Sequence, residues 1–306
     1  MNWKVKAAIQ RVLSVLPGGQ TVNYGLQRFR RRSLDIVDDG FEFRTELARQ
    51  HLKSALKVLN RPAEAVNVYE FGVGADLLAP LMRNRLGVRA QIVIDQDPIL
   101  RPALIAAVLQ RLERDRDLLG IEPVPTIDTA SRRTIVQDLS DKLGIRYVAP
   151  LDARSTGWNA ESVDIIVSNS TLEHVPANDL LDLLTECRRV LKSDGVMCHR
   201  VDYEDHYAYT DRALSSYNFL RYSEKQWRRY NSRLQFQNRL RHKDYQTLFG
   251  EAGFEIVSVE TLEPSREGLA ELGSMPIAQE FRRYTIPELG TRKGTFLLRK
   301  RTTSGA

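Results

Sequence analysis

Disulfides and membrane spans are the first things this sequence withholds. Its 306 residues include only two cysteines, Cys187 and Cys198, both in apolar segments and without C-x-x-C spacing, which argues against a disulfide framework or a cysteine-based zinc site. No run approaches the roughly 18 apolar residues that spanning a bilayer requires. The opening MNWKVKAAIQRVLSVLPGG carries lysines like those of an export signal, but Gln10 and Arg11 interrupt what should be an unbroken apolar stretch. A reducing cytoplasm is the expected location. An excess of acid is lacking as well: the net charge is +6 and the pI is near 9.3, a balance that favours anionic partners without choosing among them. The basic clusters are Arg28-Phe29-Arg30-Arg31-Arg32, Arg221 to Arg241, and Lys300-Arg301. Each reads first as the solvated face of a helix.

The hydrophobic fraction of 42% and the charged fraction of 27% are ordinary for a globular protein, so wholesale disorder is not expected. Val5, Ala8, Ile9, Val12 and Leu16 recur at helical spacing, predicting a helix over 3–16 that stops at Pro17-Gly18-Gly19. A second helical pattern runs from Glu42 to Leu59. From residue 66 onward, short β-branched runs alternate with longer amphipathic segments, the pattern of βαβ units and a parallel sheet. The runs are Val66 to Phe71, Ala90 to Asp95, Arg146 to Ala149, Val163 to Ser168, Val196 to Val201, Phe254 to Glu260 and Thr295 to Arg299. Helical patterns cover Asp76 to Leu86, Ile99 to Leu119, Ala177 to Leu191 and Lys243 to Ala252. The expectation is an α/β, doubly wound, Rossmann-like sheet of seven strands over residues 64–300, behind an N-terminal helical cap (1–63) and before a short tail (301–306). Residues 202–241 are too long for a plain connection and are expected to form a lid after strand five.

The stretch VYEFGVGAD, Val68 to Asp76, falls at the first strand-to-helix turn, where open parallel sheets bind ligands. Gly72 and Gly74 allow the backbone to turn tightly and approach a ligand closely. A dinucleotide is the wrong guest for this turn, because its pyrophosphate would be repelled by Glu70 and Asp76, and the third glycine of G-x-G-x-x-G is replaced by Leu77. S-adenosylmethionine has no phosphate and carries a cationic ammonium and sulfonium. Asp95 then ends the second run about 20 residues downstream, where a carboxylate can accept from ribose hydroxyls.

The ordered set VYEFGVGAD, VIDQDP, Leu151-Asp152-Ala153, SVDIIVSNSTLEHV and ECRRVLKSDGV resembles the class I S-adenosylmethionine-dependent methyltransferases over roughly residues 64–201. The resemblance implies a cofactor site in which Glu70 lies near the amino acid end, Asp95 contacts the ribose and Asp152 approaches the adenine amine. Strand four would close the site through Ser168, Asn169 and Ser170. Asp76 stands where that family often has a third glycine, and it is carried as a further cofactor-site residue. The opening helix and the insertion also resemble bacterial methyltransferases associated with polysaccharide and glycolipid biosynthesis. That second resemblance implies a glycan, glycolipid or nucleotide-sugar acceptor, and it would allow the basic N-terminal region to rest peripherally on the inner face of a membrane.

The acceptor is narrowed by chemistry that is missing. Asn169-Ser170-Thr171-Leu172 lacks the prolines and aromatic platform of the N-P-P-Y tetrad seen in methyltransferases of exocyclic base amines, and Cys187 lies mid-helix as a small hydrophobe rather than as a nucleophile. Base methylation is therefore disfavoured, with RNA or other nucleic acid kept as an alternative, and a non-catalytic partner protein as a second. An alcohol acceptor needs its proton removed as the new bond forms. His206 beside Asp205 is the expected base, with His174 the second candidate. Asp202, Asp205 and His206 lie too close together in sequence to assign a metal. The aromatics Tyr217, Phe219, Tyr222, Trp227 and Tyr230, interleaved with arginines, would suit an anionic sugar or equally the packing face of a lid helix.

Overall fold

The computed structural model describes residues 2–16 and 40–302. The Pro17-Gly18-Gly19 stop and the Arg28–Arg32 cluster lie outside them. Helices α1 (Trp3–Ser14) and α2 (Phe41–Leu59) precede the sheet, and α1 is capped by the Asn2 side chain accepting from the Lys4 amide. The sheet strands are β1 (Asn67–Phe71), β2 (Ala90–Ile94), β3 (Ile145–Val148), β4 (Val163–Asn169), β5 (Leu191–Asp202), β6 (Phe254–Leu262) and β7 (Lys293–Lys300). Between them lie α3 (Leu78–Arg85), α4 (Pro102–Arg114), α5 (Arg132–Leu143), α6 (Ala177–Val190), α7 (His242–Glu251) and α8 (Arg266–Ser274), along with shorter turns.

The strand order is β3-β2-β1-β4-β5-β7-β6. β1 to β5 pair in parallel, whereas β7 runs antiparallel to both of its neighbours. This order and the lone reversed strand are the seven-stranded class I methyltransferase fold. Of the helices named here, two escaped the sequence reading. α5 is one, although Ile135, Leu139 and Leu143 recur every four residues and are buried, and Ser131 and Thr134 form a reciprocal cap. α8 is the other, capped by Ser265.

Strand alternation decides which side chains reach which layer. Tyr69, Phe71, Ile166 and Met197 pack on Leu180, Leu184 and Cys187 of α6 and on Phe249 of α7. On the opposite face, Val68, Ile165, Val167 and Val196 meet Leu52 and Ala55 of α2. Glu70 is two residues from Val68 and so belongs to that second face. Nearby, α3, α4 and α5 close over Val93 and Ile145.

The 202–241 segment is a packed buttress. Tyr207, Tyr217, Phe219 and Trp227 are buried in a cluster that includes Trp3 of α1. Arg241 donates to the carbonyls of Tyr203 (2.7 Å), Leu289 (2.7 Å) and Thr291 (2.8 Å), and Arg239 donates to those of Phe219 (3.0 Å) and Tyr222 (2.6 Å). The packing alternative thus holds for these aromatics, and these two arginines cross-brace loops instead of facing a ligand. Among the described residues, no helix is long and apolar enough to cross a membrane.

Candidate active site

A cavity of about 320 Å³ opens beyond the carboxyl ends of β1, β2, β3 and β4. Its lining includes Gly72, Gly74, Asp95, Asp152, Ser170 and His174. The turn after β1 is left-handed at both glycines, with φ of +68° at Gly72 and +78° at Gly74. A Cβ on Gly72 would lie 2.3 Å from Thr171 Cγ2, whereas one on Gly74 would meet nothing within 4 Å. Glycine is thus needed at the first position for the approach of the β4 loop. The second leaves a clear backbone surface beside the cavity.

Asp95 lies at the cavity floor, its carboxylate accepting from the amides of Gly74 (3.4 Å) and Asp97 (3.4 Å). Burial raises its pKa against those two backbone donors. Asp152 also lines the cavity, and Arg154 forks it through Nε (3.0 Å to Oδ2) and Nη2 (2.7 Å) while reaching Asp179 at 3.0 Å. That arginine holds the Asp152 carboxyl below its ordinary value. The charged side chains lining the cavity are therefore Asp95, Asp152 and Asp179 against Arg154. This acidic balance opposes a pyrophosphate and suits a cationic sulfonium nucleoside.

Glu70 and Asp76 depart from expectation. The Glu70 carboxylate is buried on the α2 and α3 face, ion-paired to Arg83, with Asn169 Nδ2 donating to its other oxygen at 3.3 Å. Strand alternation explains this, because Glu70 points with Val68 into that layer and its charge is neutralised there. Asp76 is clamped by the two terminal guanidinium nitrogens of Arg44 (2.7 and 2.8 Å) and accepts from the Leu78 amide at the start of α3. Neither carboxylate lines the cavity. Asn169 does not line it either; its Nδ2 is spent on Glu70 and its Oδ1 is buried at the tip of β4. The cleared Gly74 surface, Asp95 and the acidic lining together fit S-adenosylmethionine. Ser168, by contrast, is fully buried and bonds His199 Nδ1 at 2.8 Å, so it supports the core and not the site.

At the far end of the cavity, His174 donates through Nδ1 to the Phe236 carbonyl at 2.6 Å and faces the His206 ring 4.9 Å away. Because a carbonyl only accepts, Nδ1 carries the proton and Nε2 is left with its lone pair. Burial pushes the His174 pKa down to about 4, and His206 adds to the effect. The carboxylate beside His206 is Asp202, 3.6 Å from Nε2, and not Asp205. Burial alone would raise the Asp202 pKa, but His206 and Lys293 hold it below the usual range.

Asp205 is fully buried and faces away, accepting from Asn218 Nδ2 (2.8 Å) and the Tyr207 amide (2.9 Å); burial raises its pKa to about 6. Asp205 opens a turn and its carboxylate is taken up by the Tyr207 amide and Asn218, so the sequence neighbour was the wrong partner. Asp202, four residues back, folds onto His206. Cys187 is fully buried and its thiol pKa is raised, which removes it as a nucleophile.

The sequence reading missed Arg44, Arg83, Arg154 and Thr171. The short spacing from Asp152 to Arg154 could have signalled that pair. The contacts of Arg83 and Arg44 depend on helix docking and had no local signal.

Residues 102–199 match the family model described as a methyltransferase domain. No curated protein matches the chain. Among solved structures, the chain is similar to the YcgJ protein of Bacillus subtilis, at 16% identity over 83% of this chain and 99% of that one, with a TM-score of 0.44. It is similar to the 1,6-didemethyltoxoflavin-N1-methyltransferase of Burkholderia thailandensis, solved with S-adenosylhomocysteine, at 14% identity over 88% and 87% of the chains and a TM-score of 0.44. A Haemonchus contortus phosphoethanolamine N-methyltransferase shares 16% identity over 83% of this chain and 53% of that one, with a TM-score of 0.45.

Proposed function

We propose that this S-adenosylmethionine-dependent methyltransferase acts on a hydroxyl of a saccharide-containing acceptor. The observation that carries the hydroxyl is the far end of the cavity, where His174 and His206 face each other with Asp202 behind them. An alcohol must lose its proton as the carbon-oxygen bond forms, and this polar end is where it would be activated. Asp95 and the Gly72 to Gly74 turn would hold the cofactor, with Asp152 released from Arg154 to meet the adenine amine. The saccharide rests on the resemblance of the opening helix and the insertion to glycan-assembly methyltransferases.

Bond formation is a displacement. The acceptor oxygen takes the methyl carbon, the sulfur keeps the electron pair, and S-adenosylhomocysteine leaves. The protein contributes in-line placement and a site for the proton.

The test is transfer of labelled methyl from S-adenosylmethionine into polysaccharide, glycolipid and nucleotide-sugar fractions, with RNA tested in parallel. An O-methyl sugar identified by mass spectrometry is expected. Label confined to RNA or to an amine would overturn the acceptor assignment.

A further inference from the structure

We propose that Glu173, His174 and His206 form a binding site for a first-row divalent transition-metal ion at the acceptor end of the cavity. The inference rests on the function proposed above and specifies how the hydroxyl is activated. Each residue offers one ligand atom, and the three atoms lie within 4.8 Å of one another. Glu173 and His174 sit on the single turn Leu172–His174 that follows β4, and His206 comes from the segment after β5. Two strand ends therefore converge on one point.

Glu173 supplies the independent observation. It is 1% exposed, and its carboxylate has no ion-pair or side-chain hydrogen-bond partner, only the amides of Glu173 and Asp202 lying near it. Buried carboxylates are ordinarily hydrogen-bonded, paired or metal-bound. His206 Nε2 is buried as well, with Asp202 3.6 Å away. The ring of His174 is already oriented as metal-bound imidazoles are, with one nitrogen tied to a backbone carbonyl and the other free. Asp202 stands behind His206 and is itself held by Lys293 and Tyr209.

Two imidazoles and one carboxylate favour zinc, manganese or iron(II) over magnesium and calcium, which prefer all-oxygen shells. Three protein ligands leave positions open, and His174 lines the cavity, so those positions face the acceptor. An acceptor hydroxyl on the ion would lose its proton to solvent water more readily, after which its oxygen takes the methyl carbon as the carbon-sulfur bond breaks toward sulfur.

The test uses the untagged full chain, stripped with chelator and dialysed. Zinc, manganese and iron(II) salts are titrated by calorimetry, and bound metal is counted by elemental mass spectrometry. One ion per chain is expected, with Glu173→Gln and His174→Ala each weakening binding at least about tenfold. Circular dichroism and thermal melts establish that each variant is folded, and the near-isosteric Glu173→Gln guards against a collapse of the site. No stoichiometric binding, or binding equal in folded variants, would overturn the site. One ion lost on substitution, with no saccharide methylated, would support the site and overturn only the acceptor reading. Saccharide methylation by metal-free protein, undiminished by chelator, would overturn the metal and leave that reading standing.

Discussion

Acid should unfold this protein early, and His51 offers the cleanest way to measure why. His51 on α2 is 4% exposed and neither ring nitrogen has a hydrogen-bond partner. Burial, with Arg83 and Arg200 facing it, pushes its pKa down to about 3. His199 on β5 is fully buried and is likewise pushed to about 3 by burial and by His51. In the unfolded chain each returns to about 6.5. The unfolded state therefore binds more protons between pH 6.5 and 3, so stability is fully present above that window and falls as pH drops through it. At pH 5 the loss is about 1.5 pH units at ~1.4 kcal/mol each, or about 2 kcal/mol per histidine. Two such residues remove about 4 kcal/mol, a large part of an ordinary folding free energy of about 5–15 kcal/mol.

His51→Leu removes one of these sites at similar volume and leaves no polar group without its partner. The assay is urea unfolding followed by circular dichroism at pH 8 and pH 5, and the quantity read is the difference in unfolding free energy between the two. That difference should shrink by about 2 kcal/mol in the variant. A difference equal to that of the parent protein would refute the assignment of a buried, neutral His51.

Three further outcomes are expected. Gly72→Ala places a Cβ 2.3 Å from Thr171 Cγ2, so it should lower the melting temperature and cofactor affinity, and Thr171→Ala in the same chain should recover part of both; absence of any recovery would remove Thr171 as the cause. Asp95→Asn should weaken S-adenosylhomocysteine binding by about 10- to 100-fold in calorimetry, the range for hydrogen bonds to a charged group, and unchanged affinity would take Asp95 out of the cofactor site. Asp205→Asn should cost roughly 1–3 kcal/mol of stability by disturbing the buried bonds from Asn218 and Tyr207, with the turnover of folded enzyme preserved. Slowed turnover at full stability would return Asp205 to the reaction.

The sheet was legible because every strand carries a β-branched run with a breaker or polar flank, and each strand falls within a few residues of its run. Helix α5 was missed although its period is clear, because only Ile135, Val136, Leu139 and Leu143 of its 12 residues are apolar. The cavity lining was legible where residues act through position along a strand tip, as with Gly72, Gly74, Asp95 and Asp152. It failed where the decision lies in which layer a side chain enters: Glu70 meets Arg83, and Asp76 meets Arg44, across distances that only docking of α2 and α3 creates. The same holds for His206, whose partner Asp202 and neighbour His174 come from two strand ends, while the adjacent Asp205 turns into the buttress.

Trp3 bears on how the protein is handled. Its amide donates to Asp211 at 3.0 Å and its indole lies 5.5 Å from the Tyr207 ring, one residue from His206. Whatever is fused to, or trimmed from, the amino end therefore pulls on the loop that presents His206, the histidine proposed to act at the acceptor. An affinity handle placed there would change turnover while leaving cofactor affinity alone, so a carboxyl-terminal handle is the safer choice for kinetics.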